Sequence, residues 1–249
     1  MSLRRIVSLV PSETFNVARL GLLSRLVGRT RYCVEPSEVL RVPTVGGTKD
    51  VSVDEVVALA PDLVLANQEE NRKQDVERLR DAGLNVRLVF PTTVEEGFRD
   101  YDELAALLGA SKPAHGTPAP SPPTSLRCFV PIWRAPWMTV NGDTYIGDVV
   151  RWLGLVNVFG DLPSNSAEGK DTRYAQVTQE QIEASQPDVV LLPDEPYRFG
   201  PKHAAWLRTL DVPAARTGAI HCVSGRDLCW HGAWAHEGLV RLRAVVDGA

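Results

Sequence analysis

Four cysteines are spread over 249 residues, as Cys33, Cys128, Cys222 and Cys229, and no two form a C-x-x-C pair. A chain of this length buries enough core to fold without a disulfide framework, so reduced thiols in a cytoplasmic protein are expected. Long apolar runs are also missing. Nothing approaches the roughly 20 consecutive apolar residues that cross a bilayer. The start, Met1-Ser-Leu-Arg-Arg-Ile-Val-Ser-Leu-Val10, is broken at Ser8 and stopped by Pro11-Ser12-Glu13, with no small-residue cleavage site. It reads as a first strand rather than a signal peptide, which predicts a cytoplasmic location as written and an extracytoplasmic one if a leader precedes it. Excess positive charge is absent, with 27 Lys+Arg against 31 Asp+Glu and a net charge of −4. That excludes the basic field a nucleic acid partner needs. The chain has no G-x-G-x-x-G, no G-x-x-x-x-G-K-[ST] and no G-x-S-x-G. A phosphate-cradling NTPase and a nucleophile-elbow hydrolase are therefore disfavoured, and no residue is assigned a catalytic role. Histidine does not occur before His115, and the other four are His203, His221, His231 and His236. His231 and His236 are five apart and do not share a helical face, so no metal ligand is assigned.

What the sequence does contain is a repeat. Ser52-Val-Asp-Glu-Val-Val-Ala-Leu-Ala-Pro-Asp-Leu-Val-Leu65 aligns without a gap on Thr178-Gln-Glu-Gln-Ile-Glu-Ala-Ser-Gln-Pro-Asp-Val-Val-Leu191. Each copy has a hydroxyl residue that can cap a helix, an acid two residues later, a proline that ends the helix, and an apolar run. Upstream, Leu9-Val-Pro11 corresponds to Phe129-Val-Pro131, and Leu20-Gly-Leu22 to Leu153-Gly-Leu155. Four landmarks in one order indicate a duplicated α/β unit.

The predicted strands of the first copy are Ile6–Val10, Leu26–Gly28, Leu63–Ala66 and Val86–Phe90, with helices over 14–20, 53–59 and 71–82. Those of the second are Arg127–Val130, Val156–Phe159, Val189–Leu192 and Ile220–Val223, with helices over 145–153, 179–184, 202–210 and 233–246. Leu63-Val-Leu-Ala66 and Val189-Val-Leu-Leu192 are apolar without alternation, as strands of a parallel sheet covered on both faces must be. Between the copies, 94–108 reads as a helix and 112–125 carries five prolines, the composition of an extended linker. The expectation is an α/β protein of two Rossmann-like lobes with parallel sheets, 1–92 and 126–249. A connecting helix and Pro-rich linker over 93–125 join them, and a ligand cleft lies between them.

In open parallel sheets ligands bind beyond the carboxyl ends of the strands. The loops predicted there supply the candidate ligand-binding residues: Pro11, Ser12, Glu13 and Thr14; Tyr32; Gly47 and Thr48; Asn67, Glu69 and Glu70. In the second copy they are Trp133, Trp137, Tyr197 and Trp230. All six tryptophans lie in the second half of the chain. Trp152 and Trp206 fit apolar helix faces, whereas Trp133, Trp137 and Trp230 follow strand ends, where a flat ring can stack on a bound one.

Arg5-Ile-Val-Ser-Leu-Val-Pro-Ser-Glu-Thr14, Val27-Gly-Arg-Thr-Arg-Tyr-Cys33, Val45-Gly-Gly-Thr-Lys49 and the Pro-Asp-Leu-Val-Leu-Ala66 run carry a family likeness. The chain resembles the helical-backbone (TroA-like) substrate-binding proteins of the cobalamin, ferric-siderophore and haem ABC importers, most of all the cobalamin branch. The resemblance implies a non-enzymatic binding protein that holds a metal chelate and has no cofactor of its own. It also implies an ABC permease as partner and no insertion into the membrane. Zinc and manganese receptors share the superfamily, but the first copy has no histidine to offer such an ion. Two other readings stand beside this one: an enzyme acting on a chelate, with His231 and Glu69 or Glu70 as proton carriers, and a degenerate paralogue used for partner recognition.

Overall fold

The computed structural model describes residues 3–112, 117–164 and 171–248. Part of the Pro-rich segment, His115 included, lies outside the described residues. The chain forms two compact units, each an α/β lobe around a parallel sheet.

The first unit comprises 3–91, 95–112 and Trp230–Trp234. Its elements are β1 (Ile6–Ser8), α1 (Pro11–Arg19), β2 (Leu26–Arg29), β3 (Gly46–Gly47), β4 (Asp50–Val51), α2 (Val53–Ala58), β5 (Leu63–Asn67), α3 (Lys73–Asp81), β6 (Val86–Val89) and most of α4 (Val94–Leu108). The parallel sheet has the order β2-β1-β5-β6. Every residue of β5 is buried, which explains its unbroken apolar run. Ile6, Leu63 and Leu65 face Val17, Tyr101 and Leu104 on one side, while Val7, Val64 and Ala66 face Val56, Val76 and Leu79 on the other. Helix α1 begins at Pro11, three residues before the expected start. Pro lacks the N–H that a first-turn residue leaves unbonded, and its fixed φ suits that position.

The second unit comprises 92–94, 117–164, 171–229 and 235–248. It contains β7 (Arg127–Phe129), β8 (Pro131–Trp133), β9 (Trp137–Thr139), α5 (Tyr145–Trp152), β10 (Val156–Asn157), β11 (Gln176–Val177), α6 (Gln179–Ala184), β12 (Val189–Pro193), α7 (Pro201–Leu207), α8 (Pro213–Thr217), β13 (Ile220–Val223), α9 (Gly225–Cys229) and α10 (Ala235–Asp247). Its parallel sheet has the order β10-β7-β12-β13, the same order as the first once the repeat is aligned.

The landmarks of the repeat have matching backbone roles. Gly21 and Gly154 end α1 and α5 with φ of 74° and 77°, where the left-handed backbone needs no Cβ. Ala60 and Gln186 precede the two prolines with φ of 43° and 42°. Asp62 Oδ2 accepts the N–H groups of Arg4 and Arg5 at 2.8 and 2.9 Å, and Asp188 Oδ2 accepts that of Arg127 at 2.8 Å. The Pro-Asp pair therefore closes the start of the neighbouring strand in both lobes.

The second lobe departs from the first after its leading strand. Pro11 opens a helix, but Pro131 opens β8, which pairs with β9 in an antiparallel sheet of order β11-β9-β8. The sequence shows this segment only as loop, because three-residue strands are too short to show alternation. Among the described residues no helix is long and apolar enough to cross a membrane. No disulfide joins the four cysteines among the described residues, and Cys33 and Cys128 are buried.

Candidate functional site

In the first lobe, the carboxyl end of β1 leads directly into α1 and brings Pro11–Thr14 to the strand-end face. Thr14 is fully buried and donates to Ser8 Oγ at 2.8 Å and to the Val10 carbonyl at 3.0 Å, which pins the turn. Glu13 is only 1% exposed. Its Oε1 accepts from Asn16 Nδ2 at 3.0 Å, and its Oε2 lies 3.6 Å from Arg87 Nη1, an ion-pair distance too long for a hydrogen bond. Burial raises the Glu13 pKa from 4.5 to about 7, against the opposing pull of Arg87 and the Asn16 hydrogen bond. His231 sits beside it, with Nε2 at 3.2 Å from Ser12 Oγ and Nδ1 at 3.9 Å from Glu13 Oε1. Burial, then the charge of Arg87, lowers its pKa to about 4, so the imidazole is neutral near pH 7. Arg87 also faces Asp100 at 3.6 Å and Glu103 at 3.5 Å. Through Glu13 this cluster ties the start of α1 to Arg87 on β6.

Two further strand-end loops of this lobe are tied together. Asn71 Nδ2 donates to the Thr48 carbonyl at 3.0 Å, and its Oδ1 accepts the Asn67 N–H at 2.9 Å. Asn67 Oδ1 accepts the Glu69 N–H at 2.8 Å, and Lys49 Nζ reaches the Glu69 carbonyl. Thr48 and Asn67 are buried, so they shape the loops, while Glu70 is exposed. Gly47 faces Asp50, which pairs with Arg31, and a Cβ there would lie 2.3 Å from Asp50 Oδ1. Tyr32 is 55% exposed, with the Arg31 guanidinium 5.5 Å from its ring centre. A cavity of about 430 Å³ opens beside Arg87 and is lined also by Glu96, Arg99, Asp100 and Glu103. A depression of about 510 Å³ lies between α2 and α3 and receives no strand-end loop.

The second lobe presents aromatic rings instead of charges. Trp133, at the end of β8, is 43% exposed and meets Tyr197 edge-on at 5.3 Å. Tyr197 follows β12 and packs on Phe199 at 4.7 Å. Behind them Trp137 is 5% exposed and stacks parallel to Phe199, 5.9 Å away. His203 holds this loop from the first turn of α7. Its Nδ1 accepts the Gly200 N–H at 3.1 Å, so in the neutral ring the proton is on Nε2, which points at Tyr197 Oη 3.4 Å away. Burial, and then the charges of Lys202 and Arg134, hold the His203 pKa below 6.5. Arg134 lies over two indoles, 4.4 Å from the Trp137 ring centre and 5.0 Å from that of Trp206.

The structure thus groups the predicted residues into three sets: Ser12 with Glu13, Thr48 with Asn67 and Glu69, and Trp133 with Trp137 and Tyr197. Trp230 joins none of them. It is buried in the first unit, 6.2 Å from Phe15 and 5.0 Å from Trp234. His231, expected in the second lobe by its place in the chain, packs in the first. The sequence reading missed Arg87, Arg134, Phe199 and His203. A lone charge in the apolar run Val86-Arg-Leu-Val89 was a signal for the first, and Gly200-Pro201 as a helix start was one for the last. Among the described residues no group of three or more His, Cys, Asp or Glu could hold a metal ion.

Residues 6–117 match the family profile described as periplasmic binding protein. The vitamin B12-binding protein of Yersinia pestis (strain Pestoides F) is 26% identical over 223 residues, covering 84% of this chain and 76% of its own. Among solved structures, the periplasmic vitamin B12 binding protein BtuF of Vibrio cholerae superposes with a TM-score of 0.78 at 20% identity, over 98% of this chain and 96% of that one. The periplasmic heme binding protein HutB of Vibrio cholerae gives 0.76 at 18% identity, over 98% and 99%. The chain has the fold of these proteins, and the resemblance to chelate-importer binding proteins read from its sequence holds.

Proposed function

We propose that this protein is a non-enzymatic substrate-binding protein of an ABC importer whose ligand is a metal chelate of the corrinoid, haem or ferric-siderophore kind. The observation that carries the reading is the exposed Trp133 ring set edge-on to Tyr197 and backed by Trp137 and Phe199. Such a surface offers a rigid apolar face with little entropy to lose, as a large flat ring needs. Relatives whose names specify vitamin B12 or haem support the same class. Binding is favoured over catalysis by His231, which is buried against Ser12 and Glu13 and presents no open face to a substrate.

Titration with cobalamin, cobinamide and haemin is expected to quench tryptophan fluorescence. Trp133→Ala is expected to weaken the tightest of them by roughly two- to tenfold, the scale of one aromatic stacking contact. Folded protein that none of the three quenches would rule out the corrinoid and haem kinds.

A further inference from the structure

Four of the ten arginines of the second lobe are paired with acids: Arg151 with Asp148, Arg173 with Asp171, Arg216 with Asp211 and Arg241 with Asp227. Arg134 differs. No carboxylate or carbonyl among the described residues lies within ion-pair or hydrogen-bond reach of its guanidinium, which is held by the faces of Trp137 and Trp206. An aromatic face attracts the charge without accepting a hydrogen bond along the guanidinium edge, so the five N–H donors remain to be satisfied. The position is partly exposed and follows Trp133 directly in the turn between β8 and β9. Two exposed cations that also have no ion-pair partner among the described residues, Arg198 and Lys202, lie on the loop and helix that carry Tyr197 and His203. Arg134 is therefore a fixed cation beside the aromatic face.

We propose that Arg134 is a specificity-determining residue that receives an anionic group, a carboxylate by its fork geometry, on the rim of a planar chelate stacked at Trp133 and Tyr197. This rests on the chelate reading and narrows it to ligands with peripheral negative charge. A guanidinium pre-placed on two indoles loses little freedom on binding and can meet a carboxylate with two parallel N–H donors.

Haemin and haemin dimethyl ester share one ring and one iron and differ only in the two carboxylates, so they isolate this contact. Dissociation constants are measured by tryptophan quenching for wild type, Arg134→Met and Arg134→Lys, with thermal melts to confirm folding. Wild type is expected to bind haemin at least about tenfold tighter than the ester, the scale of one charge-assisted hydrogen bond. Arg134→Met should remove that preference while keeping ester affinity within about twofold, and Arg134→Lys should retain part of it, since lysine keeps the charge but not the fork. If both ligands bind and Arg134→Met leaves the preference intact, or wild type shows none, the assignment of Arg134 is overturned and the chelate reading survives. If neither form of haemin, nor cobinamide, quenches folded wild type, the planar-chelate reading falls and this assignment falls with it.

Discussion

At the scale of single residues, the Glu13 and His231 pair makes opposite demands on pH. Glu13 has a folded pKa raised to about 7, so its contribution is fully present below its unfolded value of 4.5 and is lost as pH rises through 7. His231 has a folded pKa lowered to about 4, so its contribution is present above its unfolded value of 6.5 and is lost as pH falls through 4. Between these limits the two slopes oppose each other, and either substitution should uncover the other. His231→Gln is expected to gain stability as pH falls from 7 to 5, and Glu13→Gln to lose it as pH falls from 6.5 to 4. Each slope should reach at most about 1.4 kcal/mol per pH unit relative to wild type. Calorimetric melts across this range check the signs, and parallel curves for all three proteins would show that the groups do not titrate as described. Neither shift could be read from sequence, since Glu13 and His231 are brought together by tertiary packing. The aromatic candidates were legible only as residues that follow strands. Which face of the β8–β9 turn buries Trp137 and which exposes Trp133 depends on a hairpin too short to leave a periodic signature.

Among secondary-structure elements, the duplicated helix α2 and α6 gives a matched pair. Thr178 caps α6 with a full capping box, its Oγ1 accepting the Gln181 N–H at 3.3 Å while Gln181 Oε1 accepts the Thr178 N–H at 2.8 Å. Ser52 stands at the same place before α2 and makes no side-chain cap bond. Thr178→Ala should therefore cost about 1 kcal/mol by chemical denaturation and Ser52→Ala only a few tenths. The glycine pair behaves likewise. Gly21→Ala meets open space and pays only the left-handed backbone, about 1–2 kcal/mol, whereas a Cβ at Gly154 would lie 2.3 Å from the Pro122 carbonyl and should cost more. The elements the sequence revealed best are those with both period and punctuation. Val94–Leu108, Gln179–Ala184 and Ile220–Val223 were expected with the bounds they have. Those it hid are β3, β4, β8, β9, β11, α8 and α9, all too short for a pattern, and set by pairing or packing with distant residues.

For the molecule as a whole, the segment Trp230–Trp234 matters most, because it is sequence-distant from the unit it completes. The Ala233 N–H bonds Asn16 Oδ1 at 2.9 Å, and Trp230 and Trp234 pack on Phe15 at 6.2 and 4.9 Å. Trp230→Ala should cost about 3–5 kcal/mol, the range for a large buried ring. Hydrogen exchange should show the loss in β1, α1 and β5 rather than in β12 and β13, and deprotection confined to the second sheet would contradict this division. The same segment constrains how the protein is born. With the chain made at about 5–20 residues per second, the interval between residue 112 and residue 230 lasts roughly 6–24 s. Throughout it the first lobe stands on the ribosome without the histidine that faces its buried glutamate or the indoles that cover α1. Strictly sequential completion is therefore denied to this chain. The lobe synthesised first is finished only after nearly all of the second has emerged, and a nascent form with an open α1 face is what cellular chaperones would meet.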